Sequence, residues 1–126
     1  MSDAKKILVI DDEPDMVEWL TTYLQDNGYT TDYAHDGFAG FDKAKADQPD
    51  LITLDISMDK ESGIKCYRKL HEDAATKDIP VIMVTGVAPE FKGFIEKRRQ
   101  VDPPDAYFEK PVDKAKLLEA VKKLIG

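Results

Sequence analysis

The chain has 126 residues, 42% of them hydrophobic, and a formal net charge of −7. That length suits one domain with a core of its own, and the lone Cys66 has no partner for a disulfide or a cysteine zinc site. An acidic chain argues against general nucleic-acid binding, which needs cations on its surface, and no apolar run approaches the roughly 20 residues of a membrane span. Met1 to Lys6 leads into only four apolar residues before Asp11, too few for a secretory leader. The expectation is a single soluble, cytoplasmic domain over residues 1–126. Charge is uneven: residues 1–63 carry −10 and residues 64–126 carry +3, which suggests an acidic functional end and a more basic partner face.

Strand-like and helix-like segments alternate along the chain. Lys6–Ile10 is a short apolar run, too brief for a helix. Pro14 suits a first helical turn, Val17, Leu20 and Leu24 recur at helical spacing, and Asn27-Gly28 closes the helix. Thr30–Ala34 reads as a polar second strand. Asp36 is placed to cap a helix with Phe38, Phe41 and Ala44 on one face, ended by Pro49-Asp50. Leu51–Leu54 reads as the third strand, and Ser62 as the cap of a helix bearing Ile64, Tyr67 and Leu70. Ile79–Val84 gives a fourth strand, a less regular helix follows near Glu90–Arg99, and Asp102-Pro103-Pro104-Asp105 breaks the chain. Ala106–Glu109 is a fifth strand, and Asp113 caps a last helix with Leu117, Val121, Leu124 and Ile125 inward. Five βα units imply an α/β domain, a parallel sheet with helices on both faces. Strands 1, 3 and 4 should be central and the polar second strand an edge.

In open parallel sheets, ligands bind beyond the carboxyl ends of the strands. Asp11 and Asp12 follow strand 1, Asp55 follows strand 3, Thr85 follows strand 4 and Lys110 follows strand 5. Each alone has an ordinary explanation, because strand-end acids cap helices and lysines point to solvent. Their joint placement on one edge is what chance explains poorly. Crowded carboxylates repel unless a cation joins them, and an all-oxygen set suits Mg²⁺. Lys110 and the Thr85 hydroxyl add a charge and a donor for a phosphoryl group, and a carboxylate such as Asp55 is itself a competent nucleophile.

Ile7–Pro14 (ILVIDDEP), Leu51–Met58 (LITLDISM), Val81–Gly86 (VIMVTG) and Tyr107–Pro111 (YFEKP) together resemble the receiver domains of two-component response regulators, over nearly the whole chain. The resemblance implies a flavodoxin-like (βα)5 fold with strand order 2-1-3-4-5, and phosphotransfer from a histidine kinase or phosphotransfer protein. It implies Asp55 as phosphoacceptor and part of the metal site, and Asp12 as the main Mg²⁺ ligand, with Asp11 nearby or bound through water and the Ser57 carbonyl on the metal. Thr85 would contact the phosphoryl group, Lys110 would pair with it across a cis bond to Pro111, and Tyr107 would be the aromatic switch. Two loop positions depart from the pattern: Asp59 and Glu61 stand where the family usually has a proline and an apolar residue.

Rival readings are a flavin carrier, disfavoured by the acids after strand 1, and a Mg²⁺-dependent phosphohydrolase, disfavoured by the missing second acid and threonine after Asp55. A degenerate receiver serving only as an interaction module is the remaining alternative. Output is expected through a downstream protein partner, with no direct nucleic-acid or membrane contact, by a monomer or a phosphorylation-dependent dimer. Lys92, Lys97, Arg98 and Arg99 mark the expected partner face. His35 and His71 read as ordinary surface residues outside the acid cluster, and Cys66 as a helix residue without a redox role.

Overall fold

The computed structural model describes residues 4–55, 60–85, 106–109 and 113–126. In chain order these form β1 (Lys6–Ile10), α1 (Pro14–Asp26), β2 (Thr30–Ala34), α2 (Gly37–Asp47), β3 (Leu51–Asp55), α3 (Lys60–Glu72), β4 (Val81–Thr85), β5 (Ala106–Glu109) and α4 (Lys114–Ile125). The signals for the helix ends act as their chemistry dictates. Glu13 is extended and Pro14 opens α1, where its missing N–H costs nothing. Gly28, at φ 95°, lets the chain leave that helix for β2. The carboxylates of Asp36 and Asp113 accept from Ala39 N and Lys116 N, capping α2 and α4.

The strands form one parallel sheet in the order β2-β1-β3-β4-β5. Every residue of β3 is buried, whereas Thr30 and Tyr33 of the edge strand β2 are exposed, as the composition of the two strands requires. Side chains alternate across the sheet and feed two cores. Ile7 and Val9 pack with Val17, Leu20 and Leu24 of α1 and with Leu117 and Val121 of α4. Leu8 and Ile10 pack on the other face with Ala44 of α2 and with Cys66, Tyr67 and Leu70 of α3. This is the doubly covered parallel sheet that the alternating pattern implied, in the flavodoxin-like strand order that the resemblance implied.

Four details differ from the sequence reading. β3 extends one residue further, so Asp55 is its last residue, and β4 starts at Val81. Ile79 N instead closes a turn on the Thr76 carbonyl at 3.0 Å. α3 begins at Lys60, since Lys60 and Glu61 are good helix formers, so Ser62 lies inside the helix rather than at its N-cap position. Phe38 is 73% exposed, because the inward face of α2 is Gly37, Gly40 and Ala44. A Cβ on Gly40 would stand 2.5 Å from Ile10 Cδ1, so α2 lies too close to β1 for a large side chain. The helix expected near Glu90–Arg99 and the break at residues 102–105 lie outside the described residues.

Candidate functional site

Strand register assembles the site. Ile10 pairs with Leu54, which sets Asp11 level with Asp55 on the neighbouring strand. Asp55 in turn pairs with Val84, so Thr85 stands one residue beyond it on β4. Tyr107 pairs with Met83 and Glu109 with Thr85, so β5 ends at this same edge, one residue before Lys110. Ser57 and Lys110 themselves lie outside the described residues, as does the basic stretch from Lys92 to Arg99.

Asp11, Asp12, Glu13 and Asp55 each bring a carboxylate oxygen into one group whose atoms all lie within 4.8 Å of one another. Asp11 and Asp55 are 1% exposed, while Asp12 and Glu13 face solvent. Two full charges at such a separation repel by about 3–4 kcal/mol at an effective dielectric of about 20, which makes the cluster a demanding place to keep acids without a cation. The donor set fits a Mg²⁺ ion. The set is all oxygen, as this hard ion prefers, and Mg²⁺ typically takes one or two carboxylates directly and keeps several waters.

The residue preceding the helix and the residue after the edge strand both matter here, and sequence reasoning missed them. Glu13 joins the carboxylate group, and its backbone N–H donates to Asp11 Oδ1 at 2.9 Å. Its signal was its place between the acid pair and Pro14, where the backbone is extended and outside the helix. His35 is exposed, as read from the sequence, but it also abuts the cluster, with Nδ1 3.3 Å from the Asp11 carbonyl oxygen. His71 does stay apart, edge-on to Tyr67 with ring centroids 4.4 Å apart. Burial pushes the Cys66 thiol up to about 12, with Lys69 opposing the shift and Asp36 adding to it, so the side chain stays a thiol at neutral pH.

A parallel sheet covered on both faces carries its acidic cluster at the carboxyl edge, where open sheets of this kind bind their ligands. The sequence matches the response regulator receiver domain over residues 7–122, and the chain belongs to that family. It is 33% identical over 121 residues to the protein PilH of Pseudomonas aeruginosa, covering 96% of this chain and 98% of PilH. It is 34% identical to RpaA of a Synechocystis species, described as a DNA-binding transcriptional regulator, and there spans 95% of itself but about half (48%) of the relative. Among solved structures, a CheY-like receiver domain protein from Methanospirillum hungatei superposes with a TM-score of 0.83 at 29% identity, over 96% of this chain and 93% of that one. No described helix is long and apolar enough to cross a membrane.

Proposed function

We propose that this receiver domain takes its phosphoryl group on Asp55, in a pocket where Asp11, Asp12, Glu13 and Asp55 hold one Mg²⁺ ion. The observation that carries this reading is the convergence of these four carboxylates within 4.8 Å, with Asp55 buried at the end of β3. A bound Mg²⁺ would offset the crowded negative charge and attract phosphate oxygens. The donor is a phosphohistidine of a histidine kinase or phosphotransfer protein. A carboxylate oxygen of Asp55 attacks phosphorus, the phosphorus–nitrogen bond breaks, and its electron pair returns to the imidazole, leaving an acyl phosphate. Thr85, ending β4 next to Asp55, and Lys110, following β5, are assigned to the phosphoryl oxygens. Ser57 is assigned to the metal through its carbonyl, and Tyr107 to the switch that reports phosphorylation to a downstream protein. Cytoplasmic operation as one domain over residues 1–126 belongs to the same proposal.

The test is direct. Incubation with Mg²⁺ and acetyl phosphate should add one phosphoryl group by intact mass, and Asp55→Asn should abolish the addition. Unchanged labelling of Asp55→Asn would remove the assignment.

A further inference from the structure

Asp11 sits where the edge strand runs out. Its N–H donates to the Ala34 carbonyl at 3.0 Å, continuing the β1–β2 ladder in which Ile10 pairs with Ala34. In a parallel ladder the Asp11 carbonyl would next accept from the backbone N–H of residue 36. The chain instead turns at His35-Asp36, where Asp36 caps α2. The His35 ring stands in the place of that lost donor, with Nδ1 3.3 Å from the Asp11 oxygen. A carbonyl oxygen only accepts, so the ring must carry a proton on Nδ1 to make this bond.

The carbonyl of Asp11 belongs to the planar peptide that joins Asp11 to Asp12. Fixing its oxygen fixes the rotation of that plane, and both flanking residues contribute carboxylates to the acidic group. The Asp11 peptide is thus held by Ala34 at its N–H and by His35 at its carbonyl, while the Asp11 carboxylate is held by Glu13 N. The ring is itself supported from the edge strand. Tyr33 packs against it with centroids 5.1 Å apart, and Lys43 Nζ lies over the Tyr33 ring while donating to the Tyr33 carbonyl at 2.6 Å.

We propose that His35 is a positioning residue for the cation site: by donating from Nδ1 to the Asp11 carbonyl, it sets the Asp11–Asp12 peptide so that both carboxylates meet one Mg²⁺ ion. The proposal rests on the reading of the acidic cluster as a Mg²⁺ site. His35 touches neither the ion nor the phosphoryl group and acts only through Asp11.

Three variants and three measurements decide it. Asn places an amide N–H near the position of Nδ1, whereas Gln reaches toward that of Nε2 and Ala offers no donor. By calorimetry, His35→Ala and His35→Gln should weaken Mg²⁺ binding by about 10-fold, the lower end of what outer-shell partners contribute, and His35→Asn should stay within about twofold of wild type. Denaturant midpoints measured in EDTA should not separate His35→Asn from His35→Gln, which a merely structural role would not reconcile with their different Mg²⁺ affinities. In metal-free wild-type protein, a long-range proton–nitrogen spectrum in mildly alkaline solution should show the His35 proton on Nδ1. Normal Mg²⁺ binding by wild type and by all three variants, or a ring protonated only on Nε2, overturns the proposal alone. A wild-type protein that binds no Mg²⁺ overturns the cluster reading and this role together.

Discussion

Acidic residues gather at both ends of the sheet, and the two ends use them in opposite ways. The helices run back against the strands, so the C-terminal ends of α2 and α3 lie where the strands begin. There Asp47, Asp50 and Asp73 each meet a donor. Asp50 Oδ2 accepts from the backbone N–H of Lys6 at 2.8 Å, Asp47 pairs with Lys6 Nζ at 3.5 Å, and Asp73 pairs with Lys45 at 3.3 Å. At the exit end, Asp11, Asp12, Glu13 and Asp55 bring their oxygens toward one another. Acids that meet donors hold a fold together. Acids gathered this closely, two of them buried, repel one another as well as meeting donors such as the Glu13 N–H, a cost that a bound cation would offset.

The largest expected effect breaks the entry end. Asp50→Ala leaves the Lys6 N–H, the first donor of β1, without its carboxylate, and Asp50 N itself donates to the Lys6 carbonyl at 2.8 Å. The loss should be about 2 kcal/mol in denaturant unfolding, the range for an orphaned backbone donor. The loss should be the same in EDTA and in Mg²⁺. A Mg²⁺-dependent difference would mean that the two ends of the sheet are not separate in function.

The exit end should respond in the opposite sense. Removing one charge from the cluster relieves repulsion, so Asp55→Asn should be as stable as wild type in EDTA, or more so. Mg²⁺ should then stabilise wild type by about 1.4 kcal/mol at ten times its dissociation constant, and the variant by less. Glu119→Gln, on the exposed side of α4, serves as a control with an unchanged Mg²⁺ response. If Asp55→Asn is less stable in EDTA and gains as much from Mg²⁺ as wild type, these carboxylates share no ion.

The sequence makes the entry end and the strands legible because their signals are local. Pro14, Gly28, Asp36 and Asp113 act within a few residues of themselves, and the apolar runs of β1, β3 and β4 need only a count of alternation. The convergence of Asp11 and Asp55 is also legible, since one rule about parallel sheets places both at the same edge. What stayed hidden depends on distances between elements. Phe38 looks like a core residue until the approach of α2 to Ile10 excludes it. His35 is a surface residue in sequence and structure alike, and only the pairing of Ile10 with Ala34 shows that it stands beside Asp11. Periodicity reports which face of an element is apolar, and it carries no information on how closely the next element lies.

The smallest effect sharpens the contrast through pH. The Asp73 carboxyl is held below the ordinary aspartate value chiefly by the Ala75 N–H, which donates to Oδ1 at 2.8 Å; slight burial opposes this, and Lys45 assists it. A group whose pKa falls on folding stabilises the fold above its unfolded value, about 3.9 for aspartate, and that contribution is lost as pH falls through the lower folded value. Asp73→Asn keeps an oxygen able to accept from Ala75 N but removes the charge. It should therefore be slightly less stable than wild type at neutral pH, the opposite of Asp55→Asn in EDTA. The gap should close as the solution is taken below about pH 4. Added salt should reduce only the share that comes from the exposed Lys45 pair, leaving the share carried by the Ala75 bond. Denaturant midpoints of the two proteins from neutral to acid pH measure the gap. A gap that stays constant throughout would mean that the Asp73 charge is not held by these donors, and the entry end would then lose one of its three structural acids.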